Sequence, residues 1–315
     1  MSHDARVVLI TGASSGIGRA VALRAAESGD HVILAARGRA ALDDVAIECG
    51  ALGAASVLVQ TTDVGDDAAV AACFEEIIGR HSRIDAVMHC AGVVAYGRTE
   101  DVPAGIFDGV LRTNLGGSVN VARHAIRIMR RQEHGTLVMT GSVIGHIAVP
   151  TMSPYVLSKW GVRALARQLQ VENRDLRGVH IAYVAPGGVD TPIYEQAANY
   201  VGFNGRPPPP VASPERVARA MLRLLDRHRD RSQVGWSNNV IRVGFSAMPW
   251  VFDRFVGPLF ELAATDRTHA VPANTGNVLE SQTDGNRLHG EQGNALVGVG
   301  RNIAAKARAY GASRR

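Results

Sequence analysis

The sequence predicts an α/β fold in which helices cover both faces of a doubly wound parallel sheet. Short apolar runs rich in β-branched residues alternate with longer segments of helical periodicity, a pattern typical of parallel sheets. The first run, Val7 to Ile10, leads directly into a glycine-rich turn and an alanine-rich segment, Arg19 to Ala26. A strand, a glycine turn and a helix in this order predict a phosphate-binding site at the start of the first helix.

The glycine-rich turn reads T-G-A-S-S-G-I-G from Thr11 to Gly18. Gly12, Gly16 and Gly18 let the backbone turn tightly and approach a pyrophosphate, whose charge the helix amides stabilise. The spacing G-x-x-x-G-x-G differs from the common dinucleotide spacing G-x-G-x-x-G, and the Gly-Lys-Ser/Thr ending of nucleoside-triphosphate loops is missing. A glycine triplet is often a plain turn, but this position favours phosphate binding.

A second buried strand is predicted from His31 to Ala36, and Arg37 follows it. In such folds the end of this strand lies beside the adenosine ribose, where an acidic residue binds a 2′-hydroxyl and an arginine accommodates a 2′-phosphate. The pair Ala36 and Arg37 therefore favours NADP(H) over NAD(H).

Four more buried strands are predicted at Ser56 to Gln60, Asp85 to Cys90, Thr136 to Thr140 and Val179 to Ala185. Each is followed by polar or small residues, which are Asp63 and Val64, Ala91 and Gly92, Ser142, and the turn from Pro186 to Pro192. Ser142 thus lies at the carboxyl end of its strand, the edge where open parallel sheets bind ligands. Asp63 is also a candidate helix cap.

Tyr155 and Lys159 lie one helical turn apart in S-P-Y-V-L-S-K. Ser153 and Pro154 predict the start of their helix, as cap and first-turn proline. A free tyrosine has a pKa of about 10, and a neighbouring ammonium lowers it, so the pair predicts acid/base chemistry near neutral pH. Taken alone, Y-x-x-x-K is also common on helix surfaces.

The glycine turn, Ser142 and the Tyr155–Lys159 pair together resemble the short-chain dehydrogenase/reductase family, in its single-domain branch. The resemblance runs from about Val7 to Thr191 and implies a Rossmann-like fold. It also implies an enzyme that passes a hydride between a nicotinamide and a carbonyl or carbinol carbon, with Tyr155 moving the proton. Ser142 would hold the oxygen, and Lys159 would lower the tyrosine pKa and bind ribose hydroxyls. Asn114, in T-N-L-G-G, would interrupt a helix and anchor a water.

The resemblance implies a full set of site residues. The catalytic residues are Asn114, Ser142, Tyr155 and Lys159. The cofactor-binding residues are Gly12, Ser14, Ser15, Gly16, Ile17, Gly18, Arg37, Asp63, Val64, Ala91, Gly92, Tyr155, Lys159, Pro186, Gly187, Val189 and Thr191. No metal site is expected. His89 and Cys90 replace two asparagines of the family's N-N-A-G motif, and we interpret His89 as structural.

Composition predicts one catalytic domain with an extension. The chain has 315 residues, of which 46% are apolar, enough for a large core. We assign 1–237 to the catalytic domain, 238–264 to an apolar, aromatic-rich extension, and 265–315 to a polar, loosely ordered tail. No apolar run is long enough for a membrane span, and the N-terminus lacks the apolar core of a signal peptide. A cytoplasmic protein is therefore expected.

Charge and cysteine content exclude other classes. The net charge of +5 comes from five bases near the C-terminus, Arg301, Lys306, Arg308, Arg314 and Arg315. The rest of the chain is neutral and offers no basic face for nucleic acid. Cys49, Cys73 and Cys90 lack the spacing of metal ligands and are interpreted as reduced core thiols.

The aromatic-rich stretch from Val240 to Ala264 leaves three interpretations open: a cap over a substrate pocket, a dimer surface, or a membrane-contacting segment. Membrane contact is the least favoured.

The stretch predicts a bulky apolar substrate of steroid, retinoid or lipid type. The alternative is a 3-oxoacyl thioester reductase of fatty-acid or polyketide metabolism. A cofactor-sensing regulator is disfavoured because Tyr155 and Lys159 are both present, and a nucleotide-sugar epimerase is disfavoured by the glycine spacing. A homodimer or homotetramer is expected.

Overall fold

A parallel sheet of seven strands forms the centre of the computed structural model. The structure describes residues 5–227, 229–235, 237–267, 270–282 and 284–312, and side chains up to residue 304. The strands are β1 (Val7–Thr11), β2 (His31–Ala36), β3 (Ser56–Thr61), β4 (Ala86–His89), β5 (Gly135–Thr140), β6 (Val179–Pro186) and β7 (Arg231–Val234). Their order across the sheet is β7-β6-β5-β4-β1-β2-β3. The short strand β7 has no counterpart in the sequence prediction.

Helices cover both faces of this sheet, which confirms the predicted fold class. The α-helices, in chain order, are α1 (Gly16–Glu27), α2 (Arg39–Ala51), α3 (Asp67–His81), α4 (Ala104–Leu111), α5 (Gly117–Gln132), α6 (Ser153–Glu172), α7 (Pro214–Asp226), α8 (Ser237–Ala247), α9 (Pro249–Ala263) and α10 (Ala295–Ala312). One core contains side chains of α3, α5 and α6, and the other contains side chains of α1, α2 and α7.

The central strand β1 shows how the two cores arise from one stretch of sequence. Its residues are all buried, and successive side chains point to opposite faces. Val7 and Leu9 therefore enter the core with α3 and α5, while Val8 and Ile10 enter the core with α1 and α7. A continuous apolar run is the pattern that a strand buried on both faces requires.

The chain reverses its direction of travel across the sheet between β1 and β4. It adds β2 and β3 on one side of β1, and then crosses to add β4 to β7 on the other side. The two strands at this switch point pair in parallel, with Thr11 beside His89. Crevices outside the carboxyl ends of such strands are where open α/β sheets bind ligands.

Residues 265–267, 270–282 and 284–300 are packed against the catalytic domain instead of forming the expected loosely ordered tail. Val278 is fully buried, and Asn274 exchanges backbone hydrogen bonds of 2.9 and 3.1 Å with Asn199. The low apolar content misled the prediction because polar side chains and backbone groups make most of these contacts. The basic end forms α10 as far as Ala312, and Arg314 and Arg315 lie outside the described residues.

Among the residues that the structure describes, no helix has the length and apolar character needed to cross a bilayer. Within the same residues, no group of three or more His, Cys, Asp or Glu side chains is placed to hold a metal ion.

His89 joins the two strands of the switch point to helix α5. Its Nδ1 lies 2.8 Å from the Thr11 hydroxyl and its Nε2 lies 3.0 Å from the Ser118 hydroxyl. Burial, reinforced by the nearby charge of Lys159, lowers the pKa of His89 from 6.5 to about 3. The imidazole is therefore neutral at physiological pH and bridges two hydroxyl groups.

We predict that His89 makes the fold sensitive to mild acid. Between its ordinary pKa of 6.5 and its folded pKa of about 3, the unfolded chain binds a proton that the folded chain does not. The free energy of unfolding should therefore fall as pH falls, by about 2 kcal/mol from about pH 7 to about pH 5 on account of this residue. Urea unfolding at both pH values measures it.

The control for this prediction is His89→Asn, which keeps a polar side chain but does not titrate. Its free energy of unfolding should lose about 2 kcal/mol less than that of the wild type over the same pH interval. Equal losses in the two proteins would show that His89 is not held neutral in the folded state.

Candidate active site

Helix α6 carries Tyr155 and Lys159 on one buried face. The helix begins at Ser153, with Pro154 in its first turn, so Met152 and not Ser153 occupies the N-cap position. The side chains stack one turn apart, and the Lys159 Nζ atom lies 5.6 Å from the centre of the Tyr155 ring. Lys159 donates a 3.0 Å hydrogen bond to the Thr140 carbonyl at the end of β5. Helix α6 is thereby attached to the carboxyl edge of the sheet.

Ser142 follows β5 and faces Tyr155. The Ser142 hydroxyl is close enough to that of Tyr155 to lower the tyrosine pKa, and the Ser142 Oγ atom accepts a hydrogen bond of 3.2 Å from the Ile144 amide. This serine therefore starts a short 3₁₀ turn, Val143–His146, while its hydroxyl points toward the tyrosine. The expected meeting of Ser142, Tyr155 and Lys159 is present in the structure.

Tyr183 on β6 fixes the position of Ser142, and sequence reasoning missed it. Its hydroxyl accepts a hydrogen bond from the Ser142 amide and donates one to the Ser142 carbonyl, at 3.4 and 3.3 Å. A Cβ atom at Gly141 would lie 2.1 Å from the Tyr183 ring, and one at Gly145 would lie 2.6 Å from its hydroxyl. Two glycines flanking Ser142 were the available signal that a large side chain lies beneath this loop.

The pKa of Tyr155 is raised, whereas the sequence predicted a lowered value. Burial is the main cause, and the nearby Ser142 hydroxyl opposes it only in part. Burial also lowers the pKa of Lys159 from 10.5 to about 8. The Lys159 amine lies over the ring of Tyr155 and bonds to Thr140, so it does not offset the desolvation of the tyrosine hydroxyl. Tyr155 is therefore protonated at neutral pH.

Asn114 lies in a π-helical turn, Arg112–Gly116, which interrupts the helical path between α4 and α5 as predicted. Its Oδ1 atom accepts from the Val93 amide at 2.8 Å, and its Nδ2 donates to the Val93 carbonyl at 2.9 Å and to Ser158 Oγ at 3.0 Å. The side chain thus connects the loop after β4 to helix α6. A Cβ atom at Gly92 would lie 3.3 Å from Asn114 Oδ1 and 3.7 Å from Lys159 Nζ.

Two adjoining cavities lie beside these residues, and Gly92, Thr191 and Ile193 line both of them. The first, which we call the glycine groove, runs along the carboxyl edge of β1, β2 and β4, and the second, the apolar cavity, extends from Tyr155 toward α8 and α9. The predicted residues that line the glycine groove are Gly12, Ser14, Ser15, Gly16, Ile17, Gly18, Arg37, Asp63, Val64, Ala91, Gly92 and Thr191. Those that line the apolar cavity include Ser142, Tyr155, Lys159, Pro186, Gly187 and Val189. Asn114 lines neither cavity.

The start of α1 gives the glycine groove the chemistry of an anion site. Ser15 occupies the N-cap position, and its side chain makes no capping hydrogen bond. The Gly16 amide bonds to the Arg287 carbonyl, and the amides that follow it in the first turn have no acceptor from the cap side chain. Gly12 has a φ of +69°, and a Cβ atom there would lie 2.8 Å from the Ala91 backbone. Only glycine permits this close approach. The residues present therefore fit the pyrophosphate of a dinucleotide.

Arg37 and Asp63 line the glycine groove beyond the ends of β2 and β3. Burial is the main reason that the pKa of Arg37 is lowered, while the nearby charge of Asp63 opposes that effect. Asp63 pairs with Arg112 at 3.1 Å and accepts from the Gly65 amide at 2.9 Å. The helix cap that we considered for Asp63 belongs to Asp66 instead, which accepts from Ala68 and Ala69.

Sequence reasoning also missed a second wall of the glycine groove. Asn277, Ser281, Gln282 and Asn286 line it, and they belong to the segment that we expected to be loosely ordered. Arg37 donates to the backbone carbonyls of Asn277 and Val278, the latter at 3.1 Å. No spacing in the sequence links these positions to the glycine turn, because the contact joins residues more than two hundred positions apart.

The apolar cavity has a volume of about 650 Å³. The extension supplies much of its lining, from Ile241, Gly244 and Met248 on the α8 side to Val251, Phe252, Phe255, Val256, Leu259 and Phe260 on α9. Phe255 and Leu259 remain 55% and 57% exposed, so the cavity is open to solvent on this side. The polar groups of Ser142, Tyr155 and Lys159 lie in a wall that is otherwise largely apolar.

Comparison with known proteins gives consistent results. The family model for short chain dehydrogenase matches residues 6–200. Sepiapterin reductase of Chlorobaculum tepidum is 34% identical over 195 residues, which are 60% of this chain and 79% of that protein. Versicolorin reductase of Emericella nidulans is 29% identical over 256 residues, 81% of this chain and 94% of that protein. A solved alcohol dehydrogenase from Thermococcus sibiricus, complexed with 5-hydroxy-NADP, has a TM-score of 0.64 and 28% identity over 73% of this chain and 96% of that chain.

Proposed function

The chain belongs to the short-chain dehydrogenase family, and on that premise we propose that it is an NADP(H)-dependent oxidoreductase that interconverts a bulky apolar ketone or aldehyde and its alcohol. One observation carries the proposal: the Ser142–Tyr155–Lys159 group lines the apolar cavity, which adjoins the glycine groove at Gly92 and Thr191. A carbonyl compound in the cavity would contact Tyr155, and a cofactor that extends from the groove past Gly92 would lie beside it. The proposed setting is a homodimer or homotetramer in the cytoplasm.

In the proposed mechanism the nicotinamide supplies or receives the hydride, and the protein handles the proton and the oxygen. Ser142 donates a hydrogen bond to the substrate oxygen and holds it beside Tyr155. Tyr155, protonated at neutral pH because its pKa is raised by burial, gives its proton to that oxygen during reduction. Lys159 is charged at neutral pH, since its pKa is lowered only to about 8, and it would bind the ribose hydroxyls next to the nicotinamide. Asn114 holds the start of α6 against the loop after β4 through Val93 and Ser158.

We predict that Tyr155→Phe abolishes most of the activity while leaving cofactor binding intact. The substitution removes only the hydroxyl group, so kcat should fall by about 10² or more because the proton donor is lost. Steady-state kinetics with a ketone substrate measures the loss, and a titration of NADPH fluorescence checks binding. A kcat near the wild-type value would refute the role given to Tyr155.

The proposed preference for NADP(H) rests on Arg37. Its guanidinium lines the glycine groove beside the end of β2, and the preceding residue, Ala36, offers no carboxylate to bind a 2′-hydroxyl. Arg37 has five N–H donors, of which two bond to carbonyls of Asn277 and Val278, so donors remain for a phosphate. The solved relative with 5-hydroxy-NADP supports the same choice.

We predict that Arg37→Ala removes the preference for NADP(H). A charge-assisted hydrogen bond to the 2′-phosphate contributes about 1.5–3 kcal/mol, so the affinity for NADPH should fall about ten- to a hundredfold while that for NADH changes little. Titrations with both cofactors measure the two dissociation constants. Arg39→Ala is the matched control, because Arg39 is exposed and pairs with Asp43 at 2.8 Å. Equal wild-type affinities for the two cofactors, or a preference that survives in Arg37→Ala, would exclude the assignment.

A bulky apolar substrate is proposed from the apolar cavity. Its volume of about 650 Å³ and the α9 side chains in its wall exceed what a small polar carbonyl compound needs. Of the three interpretations of the extension, the lining supports a cap over the substrate pocket. The exposed Trp250 on the same helix is compatible with an additional surface between subunits.

We predict that shortening the cavity wall lowers activity on large substrates selectively. The double variant F255A/L259A removes two partly exposed side chains of the cavity wall, so it should fold normally but bind large apolar ketones less well. Each CH₂ that loses its contact costs about 0.8 kcal/mol, so kcat/KM should fall at least about tenfold for a large ketone and little for a small one.

The control for the cavity wall is Trp250→Ala, since Trp250 is 77% exposed on α9 and does not line the cavity. It should leave the ratio of kcat/KM values for large and small ketones unchanged. An unchanged ratio in F255A/L259A as well would show that α9 does not select the substrate. A wild-type preference for 3-oxoacyl thioesters over large ketones would favour the alternative function.

A further inference from the structure

After α9 the chain returns across the glycine groove. We call residues 274–282 and 284–294 the C-terminal strap. Asn277, Ser281, Gln282 and Asn286 of the strap line the groove opposite the glycine turn. All four positions lie outside residues 6–200, which the family model matches. This wall of the groove is therefore an addition to the part of the chain that the family defines.

The first end of the strap is fixed to the loop that follows β6. Asn274 pairs with Asn199 through the backbone, and the Asn277 amide donates to the Gln196 carbonyl at 2.8 Å. Val278 is fully buried against α4, where a Cβ atom at Gly109 would lie 2.8 Å from it. These contacts hold the strap at the adenosine end of the glycine groove.

The second end of the strap is held by charged side chains. Arg287 pairs with Glu195 at 2.7 Å, and the Gly290 amide donates to Asp190 at 3.2 Å. Arg206, only 3% exposed, donates to the Asn294 carbonyl at 3.0 Å. Because both ends are fixed, residues 279–282 and 284–286 have a defined position over the groove.

The strap contacts the groups that would bind the phosphates of a cofactor. The Gly16 amide at the start of α1 donates to the Arg287 carbonyl at 2.9 Å, and Arg19 donates to the Asn286 carbonyl at 3.4 Å. Arg37 donates to the carbonyls of Asn277 and Val278. The strap therefore either takes the place of a cofactor or forms part of its binding site.

Two observations favour a binding site over a block. Carbonyl groups of the strap accept hydrogen bonds from one amide at the start of α1 and from two of the five N–H donors of Arg37. The other N–H donors of Arg37 therefore stay free for a phosphate. In addition, the Asn277 Oδ1 atom is buried without a hydrogen-bond partner among the described residues, although Asn277 lines the groove. A buried acceptor of this kind is stabilised by a ligand that brings a hydroxyl or amino donor.

We propose that the C-terminal strap is a second half of the cofactor site and that Ser281 and Gln282 bind the adenosine part of the dinucleotide. Both side chains line the groove, and Arg37 holds the strap beside the position of the adenosine ribose. Their hydroxyl and amide groups supply hydrogen bonds that ribose and phosphate oxygens can use. The inference rests on the proposed function only in taking a nicotinamide dinucleotide as the ligand.

The test is the affinity of the full-length protein for NADPH, measured by fluorescence titration without any substrate. The double variant S281A/Q282A should raise the dissociation constant at least about threefold, as expected for the loss of one or two hydrogen bonds. The matched control is Glu280→Ala, which changes an exposed strap residue that does not line the groove. It should bind NADPH like the wild type.

A second measurement follows the strap itself. Saturation with NADPH should slow hydrogen exchange of peptides that cover residues 277–290, in the wild type and in the Glu280→Ala control. An NADPH dissociation constant that is unchanged in S281A/Q282A would overturn the proposal. Tighter binding by that variant, or faster exchange of the strap with NADPH, would overturn it as well and would identify the strap as a block.

Different outcomes would contradict the proposed role of the strap and the proposed function. If S281A/Q282A weakens NADPH binding but the wild type reduces no ketone or aldehyde, the strap proposal stands and the proposed function is wrong. If the wild type reduces ketones and S281A/Q282A binds NADPH normally, only the strap proposal is wrong. A wild-type protein that binds neither NADPH nor NADH would exclude both.

Discussion

The hydrogen bonds of one buried amide hold the candidate site together. Asn114 bonds to both backbone groups of Val93, in the loop after β4, and to Ser158 on α6. Those contacts join three segments that are far apart in the chain, and they do so without a charged group. Tyr155 and Lys159 flank Ser158 on the same helix, so their distance from the carboxyl edge of the sheet depends on this connection. The chain forms a π-helical turn at Arg112–Gly116, in place of regular α-helix, where it brings the Asn114 side chain to that point.

Sequence reasoning predicted the parts of the structure that depend on local spacing. Gly12, Gly16 and Gly18, the strand that precedes them and the helix that follows are fixed by a few neighbouring residues, and so is the stacking of Tyr155 on Lys159. It failed where the physical cause lies elsewhere in the chain. The pKa of Tyr155 moves in the direction opposite to the prediction because burial, which no motif encodes, exceeds the other influences. Tyr183 was missed for a related reason, since only the packed structure shows that its ring lies beneath the Ser142 loop.

Two walls of the candidate site are formed by residues that follow residues 6–200, the part of the chain that the family model matches. Helices α8 and α9 line the apolar cavity, and the C-terminal strap lines the glycine groove. The strap was expected to be loosely ordered because its composition is polar, but polar composition forbids only an apolar core, not a fixed path. Backbone pairing with Asn199, the buried Val278 and ion pairs such as Arg287 with Glu195 give it that path. Composition alone cannot reveal such partners.

The open side of the apolar cavity has a thermodynamic consequence. Phe255 and Leu259 line the cavity and are more than half exposed, so water covers apolar surface that faces the cavity in the free protein. Water at such surface raises the heat capacity of the solution. Any ligand that covers these side chains removes that contribution, and its binding should carry a negative heat-capacity change. The enthalpy of binding would then become more favourable as the temperature rises, a signature that calorimetry records without knowledge of the reaction.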